Sequence, residues 1–221
     1  MGADRRQQDS VPRTTKDAIA DAALATLKEV GYRGASGRAI ARIGGFNQAL
    51  IFYHYGSVDG LLLSALEKTS VERLATYREA VRDVRTFGGL IEIARRYYQQ
   101  DLDEGHMTVV AEMVAGSVSD PDLRPAIAAR MHEWVDFIEE VLDRFLEDSS
   151  LRELVSARDL AFAVVAFYLG VNIMSRVDQS STRIENLFAT ADRMAALVEP
   201  LLGKAPPLTE PPPSRGAAGG E

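Results

Sequence analysis

The chain has 221 residues, 46% hydrophobic and 26% charged, enough to bury a core in one or two domains. It contains no cysteine, which excludes a disulfide framework, a thiolate nucleophile and a zinc–thiolate site. The net charge of −7 argues against a nucleic-acid partner until its distribution is read. Up to Gly56 there are eight Lys/Arg and five Asp/Glu, a balance of +3, and the remainder carries −10. Only the N-terminal end can be drawn to phosphates.

The opening "MGADRRQQDS" lacks an apolar core of signal-peptide type, so no secretory signal is expected, and the first dozen residues are expected to be disordered. Thr14 and Thr15 can cap a first helix, with Ile19, Ala22, Ala23, Leu27 and Val30 at helical spacing. Gly31 stops it, since glycine takes positive φ without strain. Ser36 opens a short second helix through Ile40, Ala41 and Ile43, which ends at Gly44-Gly45. Asn47 caps a short third helix reaching Tyr55, and Ser57 caps a longer one after the break at Gly56. Helices then follow from Leu90 to about Leu102, over "HMTVVAEMVAGS", and over "RPAIAARMHEWVDFIEEVLDRFLE". Ser156 with Asp159, and Thr182 with Glu185, have capping-box spacing before the last two. The longest apolar run, Leu160 to Val171, is too short to span a bilayer, so a buried helix and no membrane partner are expected. Nothing alternates with period two, and the fold class is all-α. The Pro/Gly-rich end, 204–221, is expected to be disordered.

The three short N-terminal helices have the spacing of a helix-turn-helix. Ala41 is small where the second and third helices meet, and Gly45 sits where the turn needs positive φ. Ile40, Phe46 and Ile51 close the unit on its own core. With Ile51 inward, Gln48, Ala49, Phe52 and Tyr53 face outward. A short helix presenting these groups fits a major groove. Gln48 can bond a base edge, Ala49 permits close approach and Leu50 can touch a thymine methyl. Tyr53 and His54 can donate to phosphates, and Asn47 divides its role between cap and backbone contact.

The stretch "AIADAALATLKEVGYRGASGRAIARIGGFNQALIFYHYGSVDGLLLSALE" resembles the N-terminal DNA-binding domain of the tetracycline-repressor (TetR) family. The resemblance implies an arm at 1–12, a DNA-binding domain at 13–57 and a helical ligand-binding and dimerisation domain at 58–203. It further implies a homodimeric, ligand-responsive transcriptional regulator, most simply a repressor, in the bacterial cytoplasm on a pseudo-palindromic double-stranded operator. Three positions depart from the family pattern: Ala35 replaces a common Thr, Phe52 a Tyr and Val58 a Lys. The DNA-contact set is then Lys16, Ser36, Arg38, Arg42, Asn47, Gln48, Ala49, Leu50, Phe52, Tyr53 and His54.

In the C-terminal half, Tyr97, Tyr98, Met107, Met113, Trp134 and Phe137 can line a pocket for a small, largely apolar effector or form ordinary core. Glu112 lies in the apolar "VVAEMVAG" and needs a partner, either a ligand cation or an arginine such as Arg95. Asn172 can bond into the pocket or across a dimer axis. The expected dimer contacts are Val164, Phe167, Tyr168, Val171, Leu187, Phe188, Ala191 and Met194. The acids of "GLIEIARRYYQQDLDEG" fit a solvated face. No Gly-x-Ser-x-Gly, phosphate-binding loop or metal-spaced histidine pair occurs, so no enzyme, cofactor or metal is expected. Two other readings remain open: a helical small-molecule binding protein with weakened DNA binding, and a helical enzyme.

Overall fold

The computed structural model describes residues 14–178, 181–202 and 205–208. The expected disordered arm at 1–12, Arg13 and most of the expected disordered tail lie outside the described residues. Helices α1 (Thr15–Gly34), α2 (Gly37–Gly44), α3 (Ala49–Tyr55), α4 (Val58–Val81) and α5 (Phe87–Glu104) are followed by α6 (His106–Ser119) and α7 (Arg124–Leu146). A 3-10 turn (Ser150–Glu153) precedes α8 (Ala157–Asp178) and α9 (Ser181–Leu202), and no strand occurs among the described residues.

The caps follow from local chemistry. Thr14 and Asp17 form a reciprocal capping box at the start of α1. Ser36 Oγ accepts from Ala39 N at α2, and Ser57 Oγ accepts from Gly60 N at α4. Ser156 Oγ likewise accepts from Asp159 N at α8. Thr86, not among the expected caps, accepts from Gly89 N and starts α5 at Phe87, three residues before the expected start.

The chain forms two compact units. The first comprises residues up to Thr69 together with Thr108–Ile127, and the second comprises Ser70–Met107 and residues from Ala128 onward. This division differs from a boundary at residue 57. The start of α4 and most of α6 belong with the helix-turn-helix, because their apolar faces complete its core. Ile19, Leu27, Ile40, Ile51, Leu61 and Leu66 pack there with Val109 and Met113. Met113 is therefore a core residue of the first unit, which corrects its assignment to a ligand pocket.

Glu112 also finds its partner in this unit. Its Oε2 accepts from Tyr32 N at 2.9 Å, where α1 kinks at Gly31 (φ 70°). The carboxylate thus meets a backbone donor freed by the kink, not a ligand cation, and Arg95 pairs instead with Asp192. The Tyr32 hydroxyl donates to Asp59 (3.2 Å) and Asp120 (3.4 Å).

The second unit centres on Phe137, Val141, Phe145, Leu146 and Val81. α5 packs along α9, and Glu199 of α9 accepts from the first two amides of α5, Phe87 N and Gly88 N. Residues 205–208, expected to be disordered, instead return to the core. Ala205 is buried, and Ala205 N and Leu208 N donate to Arg85 O and Arg82 O. α8 also differs from expectation. The apolar run 160–171 belongs to a 22-residue helix that is long and apolar enough to cross a membrane by length and composition, yet only 11% of its apolar window is buried.

Two outcomes follow for the first unit. Gly31→Ala puts a methyl 2.6 Å from Glu112 Oε2 at a positive φ, and is expected to cost about 1–3 kcal/mol by urea unfolding. Burial, with Asp59 and Asp120, holds the Tyr32 phenol up at about 12. Stability from a raised pKa is complete below the ordinary value of 10.0 and is lost as pH rises through about 12. Tyr32→Phe should therefore flatten the fall in melting temperature between pH 10 and 12 relative to the parent protein.

Candidate nucleic-acid interface

The turn between α2 and α3 is set by Gly45, which is left-handed (φ 68°, ψ 29°) and donates its N–H to Ala41 O. The amide of Phe46 reaches the same carbonyl at 3.1 Å. Ala41 is buried, so α2 presents no bulk at the turn. Asn47 Oδ1 accepts from Ala49 N at 2.9 Å, closing the start of α3 through an Asx turn.

With Ile51 fully buried, α3 has a defined outer face. Asn47, Gln48, Ala49, Phe52 and Tyr53 are exposed, and Leu50 and His54 are half-buried. Tyr53 is 83% exposed and meets the His54 ring edge-on at 4.9 Å. Gln48 is exposed, but its amide lies over Gly37, where an added Cβ would sit 2.8 Å from Nε2. Reading a base would require that side chain to swing outward. Ser36, Arg38 and Arg42 are exposed on or beside α2. Ser36 spends its hydroxyl oxygen on the α2 cap.

Lys16 is exposed at the start of α1. Its carbonyl accepts from the Tyr55 hydroxyl at 2.8 Å, and its ammonium lies 5.3 Å from that ring's centroid. Tyr55, absent from the expected contact set, thereby fixes the end of α3 to the start of α1. Val58 packs against the unit's core, which accounts for an apolar residue there.

The expected effector residues separate. Glu112 and Met113 fall in the first unit. Tyr97, Tyr98, Met107, Trp134, Phe137 and Asn172 fall in the second. Trp134 meets the Tyr77 ring edge-on at 5.4 Å and lies 6.3 Å from Phe137, Tyr97 stacks at 4.4 Å on Tyr77, and Met107 is half-buried. Beside them is a group that sequence reasoning missed. Asp101, expected on a solvated face, is 2% exposed. It pairs with Arg73 and accepts from the Tyr77 hydroxyl (2.6 Å) and the Tyr168 hydroxyl (2.5 Å). Its spacing from Tyr97 and Tyr98, four and three residues, was the available signal that it shares their inward face. Burial pushes the Tyr168 phenol well up, with Tyr77 adding to the effect.

Tyr168 was an expected dimer contact, and its hydroxyl is instead engaged inside the unit. Among the other expected contacts, Val164, Phe167 and Met194 are exposed, and Val171, Leu187, Phe188 and Ala191 are half-buried. The exposed apolar face also includes Phe162, Met174, Leu197 and Leu201, within the expected faces Leu160–Met174 and Ile184–Leu202, and Val177, outside them.

This geometry defines an all-helical protein with an N-terminal helix-turn-helix. Residues 19–65, which include α2, α3 and the start of α4, match the family described as bacterial regulatory proteins, tetR family. No curated protein sequence matches it. Among solved structures it is similar to the fatty acid degradation regulator FadR of Bacillus halodurans, with 16% identity, a TM-score of 0.70, and 84% of this chain and 96% of that chain covered. It is similar to a TetR transcriptional regulator from Legionella pneumophila at 16% identity and a TM-score of 0.68, covering 83% and 98%. A transcriptional regulator from Rhodococcus sp. Rha1 is 20% identical, with a TM-score of 0.64 and coverage of 84% and 96%. At these identities the likeness is one of fold.

The two tyrosines of α3 should separate by role. Tyr53→Ala is expected to change stability by less than about 0.5 kcal/mol. Tyr55→Phe loses the bond to Lys16 and should cost about 1 kcal/mol. Chemical denaturation of both variants reads the difference.

Proposed function

We propose that the protein is a sequence-specific, ligand-responsive transcriptional regulator, acting as a homodimeric repressor on a pseudo-palindromic operator in the cytoplasm. The observation that carries this reading is the outer face of α3. A fully buried Ile51 and a left-handed Gly45 hold Ala49, Phe52 and Tyr53 outward on one short helix, with Gln48 exposed at its start and free to swing outward from Gly37. Such a helix fits a major groove, with Gln48 and Leu50 against bases. Lys16, Ser36, Arg38, Arg42, Asn47, Phe52, Tyr53 and His54 then flank the backbone. The local charge of +3 favours this end over the acidic remainder.

The dimer is supported by the uncovered apolar face of α8 and α9. Phe162, Val164, Phe167 and Met174 of α8, with Met194, Leu197 and Leu201 of α9, form too much exposed apolar surface for an isolated chain in water. A second copy would cover it isologously and give the two-fold symmetry that a pseudo-palindrome requires. Bilayer insertion fits less well, because α8 turns Tyr168 and a fully buried Asn172 into its own unit and has charged residues at both ends.

The effector would bind among the aromatic side chains of the second unit. The chain passes between the units within α4, α6 and α7, so three helices are available to carry its effect. Effector and operator then weaken each other equally in binding free energy.

Selection of bound duplexes from random DNA, followed by sequencing, tests the reading. An inverted repeat is the expected product, with affinity falling by roughly three orders of magnitude between about 50 and 200 mM salt. Gln48→Ala with Tyr53→Ala should abolish selection. Only weak, sequence-independent binding would favour a binding protein that has lost its operator. In sedimentation without detergent the parent should run as a dimer, and Phe167→Glu as a monomer with lost operator affinity.

A further inference from the structure

Apart from Arg73 Nη2 and Asp101 Oδ1, which face each other as an ion pair, the second unit leaves two buried polar atoms with no hydrogen-bond partner among the described residues. One is the hydroxyl of Tyr98, a residue 1% exposed, and the other is Oδ1 of the fully buried Asn172. Buried polar groups are nearly always paired, because leaving one bare forfeits its hydration with no return. The neighbouring polar groups are already engaged. Tyr77 and Tyr168 donate to Asp101, Arg73 neutralises it, and Asn172 Nδ2 donates to Tyr168 O at 2.8 Å. That last bond fixes the Asn172 amide with its oxygen as the free acceptor.

Both bare atoms belong to residues that touch Tyr168. The Tyr98 ring meets the Tyr168 ring edge-on at 5.9 Å, and Asn172 lies one helical turn beyond Tyr168 on the same face of α8. Phe188 of α9 adds a third ring, 5.6 Å from Tyr98. The local charge is balanced, since the one buried carboxylate is matched by one guanidinium. A charged ligand would bring an unmatched charge into this aromatic surround.

We propose that Tyr98 and Asn172 are the recognition groups of the effector site, and that the effector is an uncharged, ring-containing molecule bearing a hydroxyl. The ring packs against Tyr98, Tyr168 and Phe188. Its hydroxyl accepts from the Tyr98 hydroxyl and donates to Asn172 Oδ1, the pairing that one group with both capacities provides. Tyr168 connects this site to Asp101, and through it to Arg73 and Tyr77 of α4. The inference rests on the effector half of the proposed function and not on its DNA half.

The test uses the full-length protein with 4-ethylphenol and 2-naphthol as probes, and ethylbenzene, 4-ethylbenzoate and 4-ethylbenzylammonium as controls. Calorimetry and thermal shift should show binding of both hydroxylated probes, affinity for ethylbenzene about tenfold weaker than for 4-ethylphenol, and no binding of either ion. Tyr98→Phe, which keeps the ring, should leave the unliganded melting temperature unchanged or higher and bring 4-ethylphenol to the affinity of ethylbenzene. Asn172→Leu should do the same to the probes. Equal affinity of 4-ethylphenol and ethylbenzene for the parent, or no binding of either hydroxylated probe, overturns the proposal. So does a lower unliganded melting temperature in Tyr98→Phe, since the hydroxyl would then have a partner within the protein. Operator selection is read separately. A protein that selects an inverted repeat but ignores the phenols refutes the ligand class alone, and one that binds the phenols without selecting DNA refutes the regulator.

Discussion

A carboxylate taken out of water must be matched, and Asp101 is the group on which the second unit depends. Three donors converge on it from two other helices: Arg73 and Tyr77 from α4 and Tyr168 from α8. Arg73 and Tyr77 stand one turn apart, so a single helical face supplies both the countercharge and a hydroxyl. The arrangement is unforgiving, because removing one partner leaves a buried charge underserved, a far larger penalty than the pair's net contribution to stability. The aromatic contacts of Tyr77 with Tyr97 and Trp134 are built on this anchored face of α4. The register of α8 follows too. With Tyr168 drawn inward, Phe162, Phe167 and Met174 are left outside.

The first unit shows a related economy at smaller scale. The kink at Gly31 frees a backbone amide, and Glu112 of α6 takes it. A carboxylate in an apolar helix that looks like a ligand group is thus a clasp between α6 and α1 of the helix-turn-helix unit. It also explains why Thr108–Ile127 belongs to that unit despite lying more than forty residues past the helix-turn-helix in the sequence.

What the sequence made legible was local. Caps at Thr14, Ser36, Ser57 and Ser156 could be read because the acceptor and the amide it serves lie within three residues. The turn at Gly45 and the inward Ile51 could be read for the same reason, as both follow from helical period and one positive φ. Placement between elements could not. Met113 and Phe137 are both apolar residues on amphipathic helices, and nothing in their neighbours says that one packs beside α1 and the other beside α4. Asp101 sits among acids that are exposed, and its spacing from Tyr97 and Tyr98 hints at an inward face without revealing its partners on α4 and α8. The exposure of α8 was likewise hidden, since an apolar helix has the same composition whether its own chain or another molecule covers it.

Residues 205–208 carry a last consequence. Arg144 donates to Val81 O at the end of α4, to Arg82 O and Val84 O just past it, and to Pro206 O. A guanidinium has donors to spare and no acceptor to offer, so the segment that suits it is one rich in carbonyls and poor in amides. Proline has that chemistry: Pro206 and Pro207 bring oxygens and no N–H, and the two amides that do remain, on Ala205 and Leu208, both find carbonyls. The composition that marks this stretch as dispensable filler is the one a strap across a spent helix end requires, and trimming the chain after α9 on compositional grounds would remove part of the folded body.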